Sequence, residues 1–93
     1  MQALSEGIRL DDRYALIKRL GAGGMAEIWL AQDERAGSRV ALKFLKSSLL
    51  EQAGQRELFR REWRLSSRLM HAHIVRLFEF YGDAERPYYA LQF

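Results

Sequence analysis

The sequence predicts an α+β domain in which an antiparallel sheet packs against one long helix. Several short segments alternate apolar and polar residues, which is typical of half-buried strands. Polar connections that contain glycine separate consecutive segments, which favours hairpins and therefore antiparallel pairing. Only residues 55–70 combine apolar residues at helical spacing with enough length for several turns.

The composition limits the chain to one small domain. Its 93 residues are 48% apolar and carry a net charge of +3, which permits a phosphate-bearing ligand. No dense basic stripe with interleaved aromatics is present, so nucleic-acid binding is not predicted. The chain has no cysteine, which excludes disulfides and thiolate metal sites. It also has no apolar run of about 18 residues and no signal-peptide pattern, so we expect no membrane segment and a cytoplasmic location.

The predicted elements follow one another as three strands, the helix and two more strands. Residues 1–12 lack sustained periodicity and are predicted to be a lead-in without regular structure. Residues 13–93 are predicted to form the domain. Its helix covers about residues 55–70, and its five strands cover about residues 13–20, 27–32, 39–45, 74–81 and 87–93.

A glycine-rich segment, Leu20–Ile28, lies between the first two predicted strands. Glycine allows backbone N–H groups to approach a bulky anion, although tight turns also use glycine without any ligand. A strand-like segment follows the glycines, which excludes the dinucleotide-binding motif because that motif opens a helix. The phosphate-binding loop that ends in Gly-Lys-Ser/Thr is also missing. What remains is a glycine hairpin over a nucleotide, which requires a lysine on the next strand.

Lys43 provides that lysine on the third predicted strand. Alternation places it between Ala41 and Leu45 on an apolar face. A lysine there can keep its ammonium in water from the edge of the sheet, or it can pair with a buried anion.

Glu62 is a comparable anomaly on the predicted helix. Spacings of four, three and four place it on one stripe with Leu58, Leu65 and Leu69, and we predict that this stripe faces the core. An unpaired carboxylate there would cost several kcal/mol. We therefore predict that Glu62 pairs with Lys43, the alternative being a rotated helix with Glu62 at its edge.

The remaining features of the second half have weaker functional interpretations. Phe59, Trp63 and Met70 form a second stripe, which is either more core or a docking surface. His71 and His73 are too few for a zinc site without further ligands, so no metal site is predicted. Solvent exposure is the favoured interpretation of the arginine face, which consists of Arg56, Arg60, Arg61, Arg64 and Arg68.

With these motifs in this order, the sequence resembles the N-terminal lobe of bacterial eukaryotic-like (Hanks-type) serine/threonine protein kinases. Four segments carry the resemblance, namely LGAGGMAEIW at 20–29, VALK at 40–43, FRRE at 59–62 and HAHIVRL at 71–77. Ala26 departs from the family pattern because it replaces the third glycine. Ser66 departs from it because the family usually has an apolar residue there.

The resemblance implies ATP binding. The glycine segment would cover the phosphates, Lys43 would hold the α- and β-phosphates, and Glu62 would orient Lys43. Apolar residues would sandwich the adenine ring, with Leu91 as gatekeeper and the backbone of Gln92 at the start of the hinge. The implied binding residues are Leu20, Gly21, Ala22, Gly23, Gly24, Met25, Ala26, Ile28, Ala41, Lys43, Glu62, Leu91 and Gln92.

The same resemblance places the catalytic aspartate and the Mg²⁺ ligands in a C-terminal lobe, which this chain does not contain. We therefore expect no catalytic residue here and no phosphoryl transfer by the chain alone. The expected partners are ATP and a kinase C-lobe, and the protein substrate is not identified. A non-catalytic, pseudokinase-like interaction module, or self-association through the exposed lobe surface, is the open alternative.

Overall fold

The computed structural model describes residues 4–69, 77–82 and 84–92 of the chain. Within these residues it contains six strands, one α-helix and one short 3₁₀ helix at Ser47–Leu49. The α-helix, α1, covers Gln55–Leu69. The strands are β1 at Arg9–Leu10, β2 at Tyr14–Gly23, β3 at Ala26–Asp33, β4 at Ser38–Leu45, β5 at Leu77–Tyr81 and β6 at Tyr88–Gln92.

All six strands form one antiparallel sheet with the order β1-β2-β3-β4-β6-β5. The helix α1 and strand β5 lie between β4 and β6 in the chain, although β4 and β6 are neighbours in the sheet. The predicted α+β class is therefore confirmed. The predicted helix at 55–70 and the predicted strands agree with the observed elements within a few residues, except that residues 70, 74–76 and 93 lie outside the described ranges.

The predicted number of five strands is wrong because the segment before residue 13 contributes β1. A two-residue strand is too short to show alternation, which is why the sequence does not reveal it. Asp11 and Asp12 have φ values of 53° and 50° and close a tight hairpin into β2. The Asp11 carboxylate also accepts a hydrogen bond from the Tyr88 hydroxyl, which attaches this hairpin to β6.

Strand β2 extends three residues beyond its predicted end, through Gly23. Two irregularities in its pairing with β3 fall between Leu16 and Lys18 and between Arg19 and Gly21. Each bulge shifts the alternation, which leaves Leu20 41% exposed. The chain reverses only at Gly24, whose φ of 54° favours glycine.

The two faces of the sheet carry separate apolar clusters. The inner cluster lies on the face that α1 covers, and it consists of Ala26, Leu45, Phe59 and Tyr89. The outer cluster lies on the opposite face under the N-terminal segment, and it consists of Tyr14, Leu16, Trp29, Ala31, Val40, Leu42, Phe44, Tyr88 and Ala90.

The stripe of α1 that faces the sheet differs from the predicted one. Phe59 is fully buried, and Trp63 stacks on Phe80 with a centroid distance of 4.9 Å. Leu58 and Leu65 are 48% and 51% exposed, so the prediction that they face the core is wrong. The aromatic stripe buries more apolar area than the leucines would, which decides the rotation of the helix.

A polar network holds the end of the sheet opposite the glycine hairpin. The Arg13 guanidinium donates to both carboxylate oxygens of Asp33 at 3.0 and 2.9 Å, and to Glu79 on β5 at 2.7 Å. Asp33 also accepts the backbone N–H groups of Arg35 and Ala36, both at 3.1 Å, and so shapes the β3–β4 turn. The hydrogen bonds from Arg13 hold the pKa of Asp33 below its usual value despite burial.

We expect Asp33→Asn to lower the free energy of unfolding at pH 7 by about 2 kcal/mol, because the amide keeps the turn acceptor but loses the charge that faces Arg13. A lowered folded-state pKa stabilises the fold above the unfolded-state pKa, and this contribution disappears as the pH falls through the folded value. The difference between variant and wild type should therefore shrink at pH 3. Urea unfolding at both pH values measures it.

Glu34→Gln is the matched control, because Glu34 pairs with Arg9 at 2.6 Å on the exposed surface. It should change the unfolding free energy by less than about 1 kcal/mol at pH 7. An equal loss in the two variants would contradict a special role for Asp33.

Candidate functional site

The candidate site begins with the glycine hairpin formed by β2 and β3. Gly21, Ala22 and Gly23 lie opposite Ile28, Glu27 and Ala26 respectively. At Gly21, Gly23 and Gly24 an added Cβ would meet no atom within 4 Å in the part of the chain that the structure describes. The backbone at the tip of the hairpin is therefore accessible to a bulky ligand.

The apolar floor of the site comes from β3, β4 and β6. Ile28 lies directly opposite Lys43, and Ala41 lies directly opposite Leu91. Because opposed residues point to the same face of a sheet, these side chains share the inner face with Gly21. Ala41 is 5% exposed and has the smallest side chain of this floor.

The Lys43 ammonium and the Glu62 carboxylate meet at the border of this floor. Lys43 Nζ donates to Glu62 Oε1 at 2.8 Å, and the side chains are 25% and 39% exposed. Burial lowers the pKa of Lys43, but the hydrogen bond to Glu62 and the further interactions with Glu62 and Tyr89 together outweigh it, so the pKa lies above its ordinary value. The predicted ion pair is present, although Glu62 stands at the edge of the helix stripe rather than in its middle. The Lys43 side chain is partly exposed, so its ammonium can bind a second anion.

Tyr89 is also part of this arrangement, although it is not among the predicted site residues. It lies opposite Lys43 on β6, is 2% exposed, and its ring centroid is 5.9 Å from Lys43 Nζ. Phe59 supports the ring from the helix with a centroid distance of 5.3 Å. Alternation on the last strand, which places Tyr89 on the same face as Leu91, is the signal that could have found it.

The other predicted site residues occupy varied positions. Ala26 is 3% exposed, and its methyl group belongs to the inner cluster, opposite Leu45 on β4. Met25 packs against the same cluster, and its carbonyl accepts the backbone N–H of Lys46 at 2.8 Å. The backbone of Gln92 pairs with Val40 at the end of β6. The structure thus brings Gly21, Ile28, Ala41, Lys43, Glu62 and Leu91 to one face, whereas Leu20 lies at a bulge.

Two further side chains of α1, those of Trp63 and Arg56, pack or bond within the fold. Trp63 packs against the inner cluster, which agrees with the core interpretation of its stripe. Arg56 donates to the carbonyls of Ala84 and Glu85 at 3.2 and 2.7 Å, so it attaches α1 to the β5–β6 connection. The two histidines and the side chain of Ser66 lie outside the described residues.

The described ranges contain no group of three or more acidic, histidine or cysteine side chains arranged to hold a metal ion. Of the helices described, none has the length and apolar character needed to span a bilayer.

The geometry favours a ligand with an apolar planar part and an anionic part. The floor can pack against a flat ring, while the hairpin amides and the Lys43 ammonium can face negative charge. Glycine amides and a lysine on the neighbouring strand are the donors that phosphate groups take.

Comparison with known proteins identifies the family of this chain. The family described as "Protein kinase domain" matches residues 14–93. A serine/threonine-protein kinase of Myxococcus xanthus, pkn2, is 35% identical over 88 residues, covering 95% of this chain and 11% of that protein. The serine/threonine-protein kinase PknD of Chlamydia trachomatis is 38% identical over 81 residues, covering 87% of this chain and 9% of that protein. The chain thus spans about a tenth of the length of these relatives.

A solved structure has a similar fold. The crystal structure of the PknI kinase domain from Mycobacterium tuberculosis superposes with a TM-score of 0.69 at 26% identity. The match covers 98% of this chain but only 36% of that one. The chain therefore corresponds to one part of a kinase domain.

Proposed function

Since this chain belongs to the protein kinase domain family, we propose that it is the ATP-binding lobe of a serine/threonine protein kinase. The observation that carries the proposal is the ion pair of Lys43 and Glu62, at 2.8 Å, on the same face as the open glycine hairpin. Neither apolar cluster includes Lys43, Glu62 or the glycines of the hairpin.

The residues of the site fit an adenine nucleotide. Ile28, Ala41 and Leu91 provide apolar contact for a ring, and the small Ala41 leaves room for it between its neighbours. Gly21 and Gly23 leave their amides accessible to phosphate oxygens. Lys43 supplies a permanent positive charge, which Glu62 orients from α1. Mg²⁺ would neutralise phosphate charge, with its ligands expected from a C-terminal lobe.

In this function the chain binds and orients the nucleotide, and a second lobe supplies the base and the metal ligands for transfer to a Ser or Thr hydroxyl. The direct test extends the reading frame past Phe93 and assays the longer product with labelled ATP and Mg²⁺. Transfer of label to a serine or threonine is the expected result. A longer product that transfers no label would contradict the proposal.

We expect the 93-residue chain alone to bind ATP only weakly, with a dissociation constant near the millimolar range, because half of the pocket is missing. Calorimetric titration measures this affinity. Micromolar or tighter binding would show that the single lobe forms a complete site.

A second candidate function, an interaction module without catalysis, is favoured by the outer side of α1. Leu58 and Leu65 are both about half exposed, and they lie two helical turns apart on one side of α1. The kinase proposal explains the same surface by contact with a second lobe. Downstream sequence that lacks an aspartate-containing catalytic segment would favour the interaction module.

A further inference from the structure

The tip of the glycine hairpin has few side chains to hold it. Gly21, Gly23 and Gly24 offer none, and an added Cβ at each would meet open space among the described residues. On the inner face, Met25 and Ala26 attach the tip to the inner cluster. The height of the tip above the sheet therefore depends on these inner contacts together with the contacts made just behind it on the outer face.

Glu27 makes those contacts. It is the second residue of β3 after the tip and lies opposite Ala22, and its side chain is 19% exposed. The carboxylate accepts Trp29 Nε1 at 2.8 Å, Arg86 Nη2 at 3.0 Å and Arg19 Nε at 3.3 Å. Three donors from β2, β3 and the residues before β6 thus converge on one carboxylate.

Arg86 completes the arrangement from the segment just before β6, at the same end of the sheet as the glycine hairpin. Its Nε donates to the carbonyl of Leu45 at 2.9 Å, and its guanidinium lies 5.7 Å from the ring centroid of Phe44. The side chain is 10% exposed. Arg86 therefore connects Glu27 to the end of β4, the strand that carries Lys43.

The low exposure of both side chains makes this ion pair stronger than one in water. Burial raises the pKa of Glu27, but donation from Trp29 and Arg86 outweighs it, and the pKa lies below the ordinary value. The carboxylate is ionised at neutral pH, and removal of its charge leaves the Arg86 guanidinium largely buried without its carboxylate partner.

We infer that Glu27 and Arg86 are positioning residues that fix the glycine hairpin at the height where its amides and Lys43 can face the same phosphate group. They act from the outer face and touch no ligand. The part of this inference that concerns phosphate rests on the proposed function, whereas the anchoring of the hairpin rests on the contacts alone.

The test compares Glu27→Gln with Glu34→Gln in the full chain. Glu34 is the matched control, because it pairs with Arg9 at 2.6 Å but is exposed and lies at the opposite end of β3. Amide hydrogen exchange should become about tenfold faster at residues 21–26 in Glu27→Gln only, with residues 40–45 unchanged. A residue that merely stabilises the fold would accelerate exchange in both segments.

Millimolar titrations with ADP and with adenosine separate this inference from the proposed function. Glu27→Gln should weaken ADP binding by about tenfold and leave adenosine binding unchanged, because only the phosphates contact the hairpin. If exchange at residues 21–26 is the same in the two variants, the anchoring inference is wrong. If the unchanged chain binds neither compound, the proposed function is wrong while the exchange data still decide the anchoring.

Discussion

Lys43→Met is expected to reduce phosphoryl transfer by at least about a hundredfold in the extended product, with little change in stability. Methionine has an unbranched apolar chain as long as the aliphatic stem of lysine, so the inner face keeps its packing. The charge that would face the phosphates is lost, and Glu62 is exposed enough at 39% to remain hydrated without its partner. Labelled-ATP assays and thermal unfolding measure the two effects.

Lys46→Met is the matched control, since Lys46 lies just beyond β4 and uses its backbone N–H, not its side chain, to bond Met25. It should keep activity within about twofold of the wild type. If Lys43→Met unfolds the domain instead, the lysine has a structural role and the nucleotide interpretation loses its main support.

Phe59→Ala is expected to lower the free energy of unfolding by about 3–5 kcal/mol, because it removes a fully buried ring and leaves a cavity. Phe59 contacts Tyr89 and Phe80 at centroid distances of 5.3 and 6.2 Å, and these contacts hold α1 on the sheet. Loss of the ring should also separate Glu62 from Lys43. Urea unfolding measures the stability.

The neighbouring Leu58→Ala is the control for the helix itself. Leu58 is 48% exposed, so its removal should cost no more than about 1 kcal/mol. If the two variants lose the same free energy of unfolding, the leucine stripe of α1 contributes to the core as much as Phe59 does, which would contradict the observed burial.

The ion pair was predicted correctly from a partly wrong argument. Helical spacing alone leaves two adjacent stripes on α1, one with Leu58 and Leu65 and one with Phe59 and Trp63. The prediction that the leucine stripe faces the core is wrong, because the aromatic stripe packs there. Glu62 borders both stripes, so it reaches Lys43 with either choice.

Other parts of the site could not be derived from local patterns. The partners of Glu27 include Arg86, which is 59 positions away in the sequence. Periodicity describes one element at a time and carries no information on such a pair. The strand β1 was not predicted for a related reason. Its pairing with β2 depends on a turn at Asp11 and Asp12 that lacks the usual glycine.

The sheet order β4-β6-β5 has a consequence for folding kinetics. The pairings β2–β3 and β3–β4 join strands that are neighbours in the chain, whereas β4–β6 pairing requires closure of a loop that contains all of α1. Loop-closure entropy delays such non-local contacts, so we expect the three-stranded meander to nucleate and β6 to add late. We therefore expect Lys43 to gain its contact with Tyr89 only in the final stage of folding.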